Sequence, residues 1–298
     1  MPEGALTAAA YARPYAWWGW HWSPPVPLSI VEIVSAGTID RRVAAVLWLL
    51  LGSRRSLLLA SDPPMSGKTT LLSALLPFLP DETSIVFLRG LSETFDYTRE
   101  GDPRSTYLLV NELSSHLPVY LWGRKATQMF RTLREGYGCG ATMHADDVEG
   151  VLAQLRGELA LEDSDLACLD VIGIMRVIHG STPIVGHEDI PPELRYGRET
   201  IRRRVVAAHL VVPGDDGIET PLFAEWDPAS DSHRMRLEPV LPELARRTGR
   251  TVEAFCDALI EREAFLADLE RRGIRRPRAV ADAIGAYAER QHPPEGQQ

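Results

Sequence analysis

The sequence predicts an α/β fold with a parallel sheet, followed by a small domain of strands and helices. Short apolar runs alternate with helical segments in the first two thirds of the chain, which is typical of a parallel sheet with helices on its faces. The last hundred residues instead contain strand-like segments and then amphipathic helices. The length of 298 residues is enough for one large or two modest domains.

The first elements follow one another closely. A helix is predicted from Asp40, with Val43, Leu47 and Leu50 on one side and Gly52 at its end. Further predicted strands are 56–60, 85–88, 107–110 and 140–143, and further predicted helices are 67–76 and 119–134. Because these strands are short and apolar along their whole length, we expect them to be buried on both faces.

The C-terminal part begins with predicted strands at 203–212 and 221–225, on either side of a Gly-Asp-Asp-Gly turn at 214–217. Thr251 is the predicted N-cap of a helix that ends at Gly273, and a last helix is expected over 278–291. The predicted division is an N-terminal arm at 1–28, an α/β domain at 29–182 and a C-terminal domain at 183–298.

The N-terminal arm is rich in tryptophan and proline. Two interpretations are open for it. The rings could anchor the chain to a membrane interface or a partner, or the arm could pack on its own domain or on a neighbouring subunit. The tryptophans concerned are Trp17, Trp18, Trp20 and Trp22.

Composition and charge narrow the class of protein. A net charge of -9 argues against nucleic acid as a partner, because no global field attracts phosphate. The basic clusters at 202–204 and 271–278 are interpreted as solvated faces. The longest apolar run, 43–51, is too short to span a membrane, and no signal peptide is expected. The prediction is a cytoplasmic protein, with peripheral attachment at the inner face of the cell membrane left open.

The strongest motif lies at residues 61–70, between a predicted strand and a predicted helix. Gly-Lys-Thr in this position is typical of a phosphate-binding loop, where a lysine contacts the phosphates of ATP and a threonine hydroxyl contacts Mg²⁺. Asp62 stands where the consensus has glycine, which puts nucleotide affinity in question. The predicted nucleotide-binding residues are Ser66, Gly67, Lys68, Thr69 and Thr70.

Two further polar residues end predicted strands. Glu112 follows Tyr107-Leu108-Leu109-Val110-Asn111, and His144 follows Ala141-Thr142-Met143. Ligand sites of parallel sheets gather at the carboxyl ends of strands, so we expect both residues near the phosphate loop. Glu112 is the predicted catalytic carboxylate and, with Thr69, the predicted Mg²⁺ ligand.

In this order the motifs resemble those of the type II/type IV secretion ATPase superfamily, in particular its archaeal-type and Tad pilus branch. Leu109-Val110-Asn111-Glu112 is similar to the family's Walker B segment, and Thr142-Met143-His144-Ala145-Asp146 resembles its histidine box. The resemblance implies a RecA-like ATPase domain, a hexameric ring and a membrane platform protein as partner. It also implies that His144 senses the γ-phosphate.

The chain also departs from the family pattern. Arg89 and Gly90 occupy the expected acidic pair, which leaves Glu93 as the remaining candidate for that catalytic role, and Arg104 is the remaining candidate for an arginine finger. The family's N-terminal domain is expected to be absent or reduced to the arm. The prediction is therefore a motor that couples ATP hydrolysis to pilin or protein export. The alternative is a non-hydrolysing paralogue in a homo- or hetero-hexameric ring.

Overall fold

A computed structural model describes residues 27–62, 65–182 and 198–291. The N-terminal arm, with Trp17, Trp18, Trp20 and Trp22, lies outside the described residues, so the two interpretations of the arm stay predictions.

An eight-stranded mixed sheet forms the centre of the fold, in the order β10-β9-β6-β5-β1-β4-β3-β2. Strands β5, β1, β4, β3 and β2 are parallel, and β6, β9 and β10 continue the sheet antiparallel. The predicted α/β architecture with a mostly parallel sheet is confirmed. The sheet strands are β1 Leu57–Ala60, β2 Ser84–Leu88, β3 Thr106–Leu113, β4 Gly138–Met143, β5 Val171–Thr182, β6 Arg198–Leu210, β9 Leu222–Asp227 and β10 Ser232–Met235, and β7 Val212–Gly214 pairs with β8 Gly217–Glu219 in a separate hairpin.

The described helices pack on this sheet or on one another. Side chains of Ser29, Asp147 and Thr251 cap three of them at their N-termini, as expected for these residue types. The helices are α1 Ile30–Ser35, α2 Arg41–Leu51, α3 Lys68–Leu75, α4 Tyr97–Glu100, α5 Gly123–Leu133, α6 Val148–Gly157, α7 Asp163–Leu166, α8 Leu241–Arg247, α9 Val252–Arg271 and α10 Pro277–Gln291.

Strand β1 shows why the central strands are apolar along their whole length. Leu57 and Leu59 belong to one hydrophobic core, and Leu58 and Ala60 belong to a second core. Alternate side chains of a strand point to opposite faces, so a strand covered on both faces needs apolar residues at every position.

Strand β5 is the main element that the sequence analysis does not predict. It pairs with β6, so the segments before and after residue 183 share one sheet. Helix α9 also packs against α2. The domain boundary between residues 182 and 183 stays a prediction.

The outer part of β5 and β6 forms a two-stranded ribbon, which we call the β5–β6 ribbon. Strand β1 pairs with β5 only as far as Ile174, and the eight pairs from Met175–Val205 to Thr182–Arg198 join β5 to β6 alone. The pairing register shifts between Ile174 and Met175, which leaves Val206 as a bulge at the base of the ribbon.

Nowhere in the described ranges does a helix combine the length and the apolar character needed to cross a bilayer.

Candidate functional site

The predicted phosphate-binding loop at 61–70, here called the phosphate loop, joins β1 to α3 at the carboxyl edge of the parallel strands. Gly67 precedes the helix with φ +93°, a left-handed conformation that suits glycine. Ser66 is buried, and Thr69 and Thr70 lie half-buried in the first helical turn. Met65 also adopts a positive φ, at 62°, and its side chain is exposed. The predicted loop residues therefore lie where backbone N–H groups of a helix start can face an anion.

Lys68 is buried at the start of α3. Its Nζ donates a hydrogen bond of 2.9 Å to the carbonyl oxygen of Ser61, at the beginning of the loop. Burial lowers the pKa of the Lys68 ammonium, while the carboxylates of Glu112 and Asp62 oppose the shift. The phosphates of a bound nucleotide would favour the charged form in the same way.

A bulge in β3 directs Glu112 to this site. The pairing of β3 with β4 shifts register between Val110 and Leu113, so Asn111 and Glu112 leave the regular ladder. The Thr142 hydroxyl donates to the carbonyl oxygen of Asn111 within the bulge. Burial raises the pKa of the Glu112 carboxyl. The charge of Lys68 opposes this shift, and His144 and His116 oppose it more weakly.

His144 links Glu112 to the phosphate loop. Its Nε2 lies 2.7 Å from Glu112 Oε1, and its Nδ1 lies 2.7 Å from the carbonyl oxygen of Asp62. A carbonyl only accepts hydrogen bonds, so Nδ1 carries a proton. The Nε2 contact places the other side of the imidazole ring directly against the Glu112 carboxylate. The Gln154 amide, which donates to the His144 carbonyl at 2.8 Å, fixes this strand end.

Several buried polar atoms around Lys68 lack hydrogen-bond partners within the described part of the chain. Such atoms cost about 1–3 kcal/mol each unless a ligand or water satisfies them. They are Ser61 Oγ, Ser66 Oγ, Asn111 Oδ1 and Glu112 Oε1, the last of which contacts His144 without hydrogen-bond alignment.

These residues fit an ATP–Mg²⁺ complex. Lys68 and the start of α3 would hold the phosphates, and Thr69 with Glu112 would hold the ion. Among the described residues, no group of three or more His, Cys, Asp or Glu side chains could by itself hold a metal ion.

Glu93 and Arg89 follow β2, the outer strand, whose carboxyl end lies at the same edge of the sheet as the end of β1. Glu93 Oε2 accepts from the Arg89 backbone N–H at 2.9 Å, and Oε1 accepts from the Phe95 N–H at 2.8 Å. Both carboxylate oxygens thus hold a loop in shape, while the Arg89 side chain is exposed. The catalytic role of Glu93 stays a prediction, with this structural role as its competitor.

Arg104 lies just before β3, at the amino-terminal edge of the sheet and opposite the phosphate loop. Its side chain is exposed. From this position it would serve the site of a neighbouring subunit and not its own, so its role as an arginine finger stays a prediction.

Two further residues lie beside these side chains and are not predicted from the sequence as part of the site. The ring of His116 lies 5.9 Å from that of His144, measured between centroids. Arg203 of β6 donates from Nε to the carbonyl oxygen of Met65 in the phosphate loop, at 3.0 Å. The interpretation of 202–204 as a solvated face is wrong for Arg204, which is buried and bonded to Asp231, whereas Arg203 is partly exposed. Strand alternation sends Arg203 to the other face from its neighbours, but sequence does not show that this face meets the loop.

No family model matches the chain. Uncharacterized protein MJ0900 of Methanocaldococcus jannaschii is 25% identical over 241 residues, which are 70% of this chain and 38% of that protein. Uncharacterized protein MJ1287 of the same organism is 25% identical over 263 residues, which are 80% of this chain and 90% of that protein.

Two solved structures of ATPases are also similar. The VirB11 ATPase from the Brucella suis type IV secretion system has a TM-score of 0.32 and 17% identity, over 54% of this chain and 50% of that one. The Legionella pneumophila ATPase DotB has a TM-score of 0.32 and 12% identity, over 78% of this chain and 55% of that one. The chain thus spans about half the length of either ATPase, and none of these comparisons identifies its family.

Proposed function

We propose that the chain is a nucleotide-binding subunit of the secretion and pilus ATPase superfamily, and that it binds ATP with Mg²⁺ at the carboxyl edge of β1, β3 and β4. The observation that carries the proposal is the convergence of Lys68, Glu112 and His144 at one sheet edge, 2.7 Å separating the last two side chains. Lysine, carboxylate and histidine at the end of neighbouring parallel strands are suited to holding and sensing a phosphate chain.

In this proposal Lys68 holds the phosphates, and Thr69 and Glu112 hold Mg²⁺. His144 senses the terminal phosphate and is linked to the phosphate loop by its contact with the Asp62 carbonyl oxygen. Glu112 would orient the attacking water through its ionised carboxylate, and the burial that raises its pKa works against that ionised form. The chain would work in a homo- or hetero-hexameric ring at a membrane platform protein, on the cytoplasmic side, and would drive export of pilins or other proteins.

The first test is nucleotide binding by a Lys68→Ala variant. Loss of a charged hydrogen bond to phosphate should weaken binding of a fluorescent ATP analogue by about 1–3 kcal/mol. Arg42→Ala, which removes an exposed positive charge from α2, is the matched control and should bind like the wild type. Equal affinity in the wild type and Lys68→Ala would show that the loop is not the site.

The second candidate function, a non-hydrolysing structural or regulatory paralogue, is favoured by one observation: Arg89 stands at a position where an acidic residue is expected, and both oxygens of Glu93 are bound to backbone. Positive charge there discourages activation of water and metal. We expect Mg²⁺-dependent hydrolysis to be very slow and Arg89→Glu to increase it. The test is phosphate release by the unmodified protein. Rapid Mg²⁺-dependent release would exclude a non-hydrolysing paralogue.

A further inference from the structure

Arg203 lies directly on the phosphate loop although it belongs to β6, far along the chain. It pairs with Val177 in the β5–β6 ribbon, and its Nε donates to the Met65 carbonyl oxygen at 3.0 Å. Its side chain also covers Gly67, because a Cβ built at Gly67 would lie 2.9 Å from Arg203 Cδ. The arginine therefore fixes a loop segment in which Met65 holds a positive φ that costs about 1 kcal/mol.

The charges of Arg202 and Arg204 are balanced by a carboxylate, whereas that of Arg203 has no such partner among the described residues. Arg202 and Arg204 both contact the carboxylate of Asp231, at 3.2 Å and 2.7 Å. Over the ranges that the structure covers, no carboxylate pairs with Arg203, whose recorded partner is the neutral Met65 carbonyl. A guanidinium has five N–H donors, and this contact uses one of them. A positive group with unused donors thus borders a loop built to receive an anion.

We propose that Arg203 is a further nucleotide-binding residue, which contacts the phosphate chain of a nucleotide held in its own subunit. This inference rests on the proposed nucleotide binding and extends it. Nε holds the loop through Met65, and the remaining guanidinium donors take phosphate oxygens, for which the planar guanidinium is well suited. Arg203 thereby adds a second positive charge to that of Lys68 and offsets Asp62 at the loop entrance.

The test compares binding of a fluorescent ATP analogue, and its competition by inorganic tripolyphosphate, in Arg203→Gln, Arg203→Lys, Arg202→Gln and Lys68→Ala. Glutamine keeps an N–H donor but loses the charge, so Arg203→Gln should bind about tenfold more weakly. Arg203→Lys should recover part of the loss. Arg202→Gln removes the same charge from the adjacent position of the strand and should bind within about twofold of the wild type, because Arg202 points to the opposite face of β6 and is paired with Asp231.

A second measurement uses the wild-type chain and does not depend on the folding of a variant. Arginine modification by phenylglyoxal, read by mass spectrometry, should be suppressed at Arg203 by tripolyphosphate and unchanged at Arg202. Binding that is lost in Lys68→Ala but equal in Arg203→Gln and Arg202→Gln, or nucleotide binding without protection of Arg203, would overturn this inference and leave the proposed function standing. A wild-type chain that binds neither probe would overturn both.

Discussion

Gly90 is a residue whose backbone limits the introduction of an acidic pair at positions 89 and 90. It has φ +63°, and a Cβ at this position would lie 2.5 Å from the carbonyl oxygen of Pro118 and 2.6 Å from that of Val119. Both neighbours are backbone atoms of one loop, which cannot turn aside as a side chain can. Gly90→Asp is therefore incompatible with this backbone, whereas Arg89 has an exposed side chain and a φ of -100° that a glutamate can adopt.

We predict that Gly90→Ala destabilises the protein more than Gly123→Ala does. Gly123 has a similar φ of +59°, but a Cβ there meets no atom within 4 Å. Both substitutions carry the strain of a left-handed alanine, about 1–2 kcal/mol, and only Gly90→Ala adds the clash. Urea unfolding of the two variants gives the comparison. Equal losses of unfolding free energy would mean that the loop at Pro118 relaxes freely.

Single residues of the site differ in how far the sequence predicts them. Lys68 and Glu112 are predictable because each follows an apolar strand in a recognisable local pattern. The contact of His144 with Asp62 and the role of the β3 bulge are not, because a bulge depends on the partner strand. Arg203 is the extreme case, since its contact with Met65 joins residues 138 positions apart.

At the scale of elements, local pattern predicts most of the structure. Helix α2 begins after Asp40 and ends before Gly52, and α9 begins after Thr251, as the capping residues indicate. Strand β5 is harder because its inner half is buried between β1 and β6 while its outer half is partly exposed. A strand that changes environment along its length shows neither a continuous apolar run nor regular alternation.

Helix α8 is attached to the sheet by a buried arginine. Arg247, with 4% of its side chain exposed, donates to Asp170 Oδ1 at 2.9 Å and to Glu243 Oε1 at 2.7 Å. Asp170, just before β5, also accepts from the Ser56 backbone N–H at 2.7 Å, just before β1. Burial raises the pKa of the Asp170 carboxyl, and Arg247 is the main group that opposes this. One guanidinium therefore keeps a buried carboxylate charged at the base of two strands.

At the scale of the whole molecule, this network predicts unequal effects for two adjacent arginines. Arg247→Ala leaves the Asp170 carboxylate buried and unpaired and should cost about 3–5 kcal/mol of unfolding free energy. Arg246→Ala is the control, because Arg246 has 70% of its side chain exposed and pairs with the same Glu243, and should cost about 0–1 kcal/mol.

Chemical denaturation followed by circular dichroism measures both variants. The Asp170→Asn substitution in the Arg247→Ala background should recover part of the loss, since it removes the unpaired charge. Similar stability of Arg246→Ala and Arg247→Ala would contradict the assignment of the network as a link between the C-terminal helices and the sheet.

The β5–β6 ribbon has a mechanical consequence. Beyond Val205 the ribbon pairs with neither β1 nor β9, and the hydrogen bonds of Arg204 to Asp231 and to the Ala36 carbonyl oxygen hold its base in place. At about 3.3 Å per residue, Arg203 lies about 10 Å from the bulge at Val206 and Arg198 about 26 Å. The ribbon is then a lever with its short arm on the phosphate loop. A shift of the phosphate loop that moves Arg203 would be magnified between about two- and threefold at Arg198, so a small change in the loop would produce a larger displacement at the far end of the ribbon.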